Sequence, residues 1–87
     1  MIFEELHKAM LFLNENLPRT TKISIMQNKY SRLISYHFSV GMFIRTNLLN
    51  DTTLYKLLKS KGMENKDDMS FLILQLFYLY IQKPKKI

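Results

Sequence analysis

Apolar residues return at spacings of three and four along most of this chain, so the pattern is helical nearly throughout. Phe3, Leu6, Met10, Leu13 and Leu17 recur with Glu4, Glu5, Lys8, Asn14 and Glu15 between them, which predicts an amphipathic helix over 2–17 ended by Pro18. Residues 19–27 instead alternate polar with apolar and are rich in β-branched side chains, yet no second strand is evident, so they read as an extended connection. Asn28 is then a natural N-cap for a second helix. On it Tyr30, Leu33, Ile34, His37, Phe38, Gly41, Met42, Arg45 and Leu48 share one broad face, while Tyr36 and Phe43 fall on the other. The polar stretch 47–53 supplies a turn. Leu54, Leu57 and Leu58 mark a short third helix that Gly62 can close, with Lys59 and Lys61 favourably placed in its last turn.

The last helix departs from this amphipathic pattern. It starts at Asn65-Lys66-Asp67-Asp68, where carboxylates oppose the positive end of the helix dipole. Met69, Leu72, Ile73, Leu76, Phe77 and Tyr80 then define one apolar face, and Phe71, Leu74, Tyr78 and Ile81 define another roughly opposite it. A helix apolar on both sides must be enclosed on both sides. In a small domain it is either the central helix or it lends one face to a partner. The expectation is an all-α fold: one compact domain of about four helices over residues 1–82, followed by a basic tail at 83–87, with the second apolar face of the last helix left for a partner.

Composition narrows what such a chain can do. A chain of 87 residues buries only about 60 to 65% of its unfolded surface. The hydrophobic fraction of 47% nevertheless excludes a disordered segment. There is no cysteine, hence no disulfide framework, thiolate metal site or cysteine nucleophile, which suits the cytoplasm. Glu4, Glu5 and Glu15 interrupt the first helix where a secretory signal needs an apolar run, and the stretch from Phe71 to Ile81 is too short to span a bilayer. The net charge of +6 is uneven: Arg19, Lys22, Lys29, Arg32 and Arg45 stand between Glu15 and Asp51 with no acidic residue among them, and Lys83, Lys85 and Lys86 close the chain. Either cluster can attract a polyanion, and interleaved aromatic rings suit nucleic acid. However, Arg32 and Arg45 lie about 140° apart around a continuous helix and form no single stripe.

Candidate chemistry is sparse. His37, Gly41 and Arg45 occupy successive turns of the second helix on its apolar side. A glycine there costs about 1 kcal/mol relative to alanine and points to close approach of another group. An arginine on that side needs a carboxylate, and Asp67 or Asp68 is the nearest candidate, so a bridge tying the second helix to the last is expected. The alternative is a cleft in which His37 and Arg45 bind an anion. Arg32 and His37 also form an Arg-x4-His spacing that resembles the motif of the helical HEPN ribonucleases, whose pair acts on an RNA phosphodiester. Only two residues carry that resemblance. No metal-binding, phosphate-loop or nucleophile-elbow motif is present, and neither a cofactor, a metal nor an enzyme activity is expected.

The stretch from His37 to Asn47, followed by Gly62 and by Asp67-Asp68-Met69-Ser70 with Ile73-Leu74, resembles a family of small uncharacterised bacterial and phage proteins. That resemblance implies the helix layout and weight on His37, Gly41, Arg45, Asp67 and Asp68; it departs at Ser39, at Thr46 and in the turn after Asn47, and implies no activity. The expected role is that of a non-enzymatic module binding another protein or a second copy of itself through Tyr36, Phe43, Phe71, Leu74, Tyr78 and Ile81. By analogy, that is the role of a phage or mobile-element inhibitor, antitoxin or accessory factor. The rival is a nucleic-acid-binding module using Lys22, Lys29, Arg32 and the tail lysines 83, 85 and 86; a ribonuclease using Arg32 and His37 is third.

Overall fold

The computed structural model describes residues 2–36 and 38–82. It is all-helical, with α1 (Ile2–Asn16), α2 (Arg19–Gln27), a 3-10 segment (Tyr30–Tyr36), α3 (Ser39–Leu48), α4 (Thr53–Ser60) and α5 (Lys66–Gln82). The helix count is therefore five with a 3-10 segment, against the expected four. His37 and the lysines of the tail, Lys83, Lys85 and Lys86, lie outside the described residues.

Two differences from the sequence pattern account for the change. Residues 19–27 are helical, not extended: the carbonyl of Pro18 accepts the Lys22 amide at 3.0 Å. The least exposed positions are Thr21, Lys22, Ile25 and Asn28, a helical spacing on which only Ile25 is fully buried. A strand would have had to bury Ile23 with Ile25, and no neighbouring strand satisfies its backbone. The second departure is that Asn28 caps the end of α2 and starts no long helix. Its side chain donates to the Ser24 carbonyl at 2.8 Å and to the Tyr36 hydroxyl at 2.7 Å, and its carbonyl accepts from the Tyr78 hydroxyl at 3.0 Å. The predicted helix from 28 to 48 is thus divided into the 3-10 segment and α3. That division resets the helical phase: Ile34, Phe38 and Met42, expected inward, are exposed, and Tyr36 and Phe43, expected outward, are half-buried.

α4 begins at Thr52, whose Oγ1 accepts the Tyr55 amide at 3.1 Å while its hydroxyl donates to the Leu48 carbonyl. It ends in a Schellman turn, in which the amide of Gly62 bonds Lys59 at 3.1 Å and that of Met63 bonds Leu58 at 3.2 Å. Gly62 takes φ 100°, a left-handed conformation that a Cβ would strain. α5 then runs back through the centre and packs against α1, α2, α3 and the 3-10 segment.

Its buried residues Met69, Ser70, Ile73, Leu74 and Phe77 form one wide stripe drawn from both predicted faces. The face expected to await a partner is partly covered by the chain itself: Leu74 is fully buried, Phe71, Tyr78 and Ile81 are half-buried, and Tyr78 is bonded to Asn28. Of the long apolar side chains on α5, Leu79 is the exposed one, at 54%. Leu13, Ile25, Leu33, Ile44 and Leu49 complete the fully buried set from the other elements. Truncating Phe77 to alanine removes a fully buried ring and is expected to lower the unfolding free energy by about 3–5 kcal/mol, read from urea denaturation. The same measurement on Leu79→Ala is expected to change it by less than about 1 kcal/mol.

Candidate functional site

α3 crosses α5 where the smallest residue of one meets the polar residue of the other. Val40, Gly41 and Ile44 are the buried residues of α3, and Ser70 is the buried polar residue of α5. A Cβ at Gly41 would stand 3.3 Å from Arg45 Nη1 and 3.7 Å from Ser70 Oγ, so the glycine is what lets the guanidinium lie across the crossing. Arg45 Nη1 donates to Ser70 Oγ at 3.2 Å and lies 3.4 Å from Asp67 Oδ1, while Ser70 Oγ donates to the Asp67 carbonyl at 2.9 Å. Gly41, Arg45, Asp67 and Ser70 form one connected node that joins α3 to the first turn of α5.

Asp68, the other carboxylate candidate for Arg45, is turned away from it. Asn65 Oδ1 accepts the Asp68 amide at 2.8 Å and Asn65 Nδ2 donates to Asp68 Oδ2 at 3.1 Å, a reciprocal cap at the start of α5. The Arg45 side chain is 19% exposed and that of Asp67 67%, so the ion pair is worth under about 1 kcal/mol. The Ser70 bond, at a fully buried hydroxyl, carries more of the node's energy. Ser70 is the member the sequence did not single out. Its signal was that, with Gln75, it is one of two polar residues interrupting the apolar run of α5, one turn after Lys66.

Among the described residues, no base stands beside the hydroxyl of this node. The Ser70 hydroxyl accepts from Arg45 and donates to the Asp67 backbone carbonyl. Arg32 is exposed on the 3-10 segment and its proposed companion His37 is outside the described residues. The expected polyanion cluster is likewise divided: Lys29 and Arg32 are exposed, but Lys22 Nζ donates at 2.6 Å to the Asn14 carbonyl and so caps the end of α1.

The aromatic residues expected to meet a partner are engaged internally. The Tyr36 hydroxyl is 2.6 Å from Ser24 Oγ, and Phe43 stacks on Phe12 with centroids 6.0 Å apart. Both also line a shallow groove of about 390 Å³ with Leu17, Pro18, Thr20 and Ser24. What lies outward is a different apolar set: Ile34, Phe38 and Met42 are 63%, 78% and 57% exposed. Phe38 and Met42 are one helical turn apart and share a face.

If the node is built as described, Ser70→Ala is expected to cost about 1 kcal/mol in denaturant unfolding. Arg45→Ala combined with Ser70→Ala is expected to cost less than the sum of the single changes. Gly41→Ala is expected to push the guanidinium aside. The helix-propensity gain of about 1 kcal/mol then offsets the strained contact, and the Arg45–Ser70 coupling weakens.

A family model described as Domain of unknown function (DUF6794) matches residues 4–81. No curated protein and no solved structure matches the chain.

Proposed function

We propose that this chain, which belongs to the DUF6794 family, is a non-enzymatic interaction module that binds a protein partner through the apolar surface at the 3-10 segment and the start of α3. The observation that carries this reading is the exposure of Ile34, Phe38 and Met42, because a folded chain gains by covering such side chains. Phe38 and Met42 supply an aromatic ring and a flexible thioether one turn apart, a pairing suited to filling a partner's groove.

Charge selects among partners. At +6, two copies of this chain repel each other, so an acidic protein suits the surface better than a second copy. Such a module would act in the cytoplasm as an inhibitor, antitoxin or accessory factor of a phage or mobile element.

Light scattering at low salt is expected to give a monomer. A Phe38→Ser, Met42→Ser double variant is expected to keep its unfolding free energy within about 1 kcal/mol and to lose at least about a hundredfold in affinity for the partner the natural chain retains. A folded variant that retains the partner unchanged would place the binding surface elsewhere.

A further inference from the structure

Segment 53–66 carries four lysines, Lys56, Lys59, Lys61 and Lys66, against the single carboxylate of Glu64. The Schellman turn at Gly62 folds this segment back on itself and brings two of the four to one tyrosine. Lys59 Nζ donates to the Tyr55 hydroxyl at 3.3 Å and is 5.5 Å from the ring centroid, so it sits at the hydroxyl rim and not over the face. Lys66 Nζ is 5.3 Å from the same centroid. Tyr55 is half-buried, which fixes the ring about which both ammonium groups gather.

Neither ammonium meets a carboxylate among the described residues. The next carboxylates in sequence are committed elsewhere, Asp67 to Arg45 and Asp68 to Asn65. Lys66 also stands in the first turn of α5, where the helix dipole disfavours a cation. Two positive groups held within 5.5 Å of one ring centroid, one of them at an unfavourable helix end, favour an anion beside the ring. Because Tyr55 Oη accepts from Lys59, its own proton is directed elsewhere and is available to an incoming oxygen. The cluster thus presents two ammonium donors and one hydroxyl donor, a complement to the several acceptor oxygens of a phosphate group.

We infer that Tyr55, Lys59 and Lys66 form a binding site for a phosphate group, carried by a small phosphate compound or by the phosphodiester backbone of a nucleic acid. The site is on α4 and the first turn of α5. It is independent of the Ile34, Phe38 and Met42 surface, so either can fail without the other.

The test is a titration followed by amide and lysine side-chain NMR, with inorganic phosphate in one arm and a single-stranded oligothymidylate in the other, each in low-salt buffer. Saturable shifts centred on Tyr55, Lys59 and Lys66 are expected in at least one arm. Lys59→Gln with Lys66→Gln is expected to weaken that binding about tenfold or more. A small phosphate compound is the ligand if the oligonucleotide binds no tighter than phosphate. The backbone is the ligand if the oligonucleotide binds more tightly and the double variant flattens the slope of log affinity against log salt by about 1.4. Tyr55→Phe keeps the ring and removes only the hydroxyl, and is expected to weaken binding several-fold with folding intact. Absence of saturable shifts at these residues in both arms, or unchanged affinity in the double lysine variant, overturns the site.

Discussion

A helix with apolar residues on every side can exist in water only if something surrounds it, and enclosing α5 is the constraint that shapes this fold. Its buried stripe of Met69, Ser70, Ile73, Leu74 and Phe77 is wider than one neighbouring helix can cover. The chain answers with four neighbours: α1, α2, α3 and the 3-10 segment all pack on α5. The tyrosines and amides around it follow the same logic. Tyr78 reaches Asn28 and Gln82 reaches the Met26 carbonyl, so the polar tips on α5 are anchored to the end of α2 that covers it. With the Leu74 side of α5 covered from within, the exposed apolar side chains other than Leu79 lie on the covering elements.

That displacement explains which parts of the fold were legible in the sequence. α1 and α4 were legible from a 3.6-residue apolar period and α5 from its long apolar run, each with ordinary end signals: Pro18 after α1, Gly62 after α4, and the Asn65 to Asp68 cap before α5. α2 was not, since Lys22-Ile23-Ser24-Ile25 alternates like a strand and only the docking of Ile25 into the core decides otherwise. The break between Tyr36 and Ser39 was not legible either, because no proline or glycine marks it. Tertiary bonds from Asn28 and Ser24 to the Tyr36 hydroxyl hold that segment, and these join residues eight and twelve apart.

The candidate sites divide in the same way. Arg45 with Asp67 was legible from a simple demand, that an inward guanidinium requires an acceptor, and Gly41 from the cost of glycine inside a helix. Ser70 was hidden because a serine among apolar residues reads as an interruption, when here it completes the node. The outward set Ile34, Phe38 and Met42 was hidden by the phase change, since a continuous helix would have turned all three inward. The lysine pair at Tyr55 was hidden because Lys59 and Lys66 are seven residues apart across a glycine turn, and only the folded turn brings both to one ring.

That the chain itself buries the Leu74 side of α5 can be read directly at the methyl groups of the isolated protein. A neutral soluble paramagnetic agent enhances the relaxation of protons that solvent reaches. The account requires the methyls of Leu74 and Ile73, both fully buried, to be equally shielded and those of the exposed Leu79 to be strongly affected. Enhancement at Leu74 comparable to that at Leu79 would show the second face open, and would contradict the account.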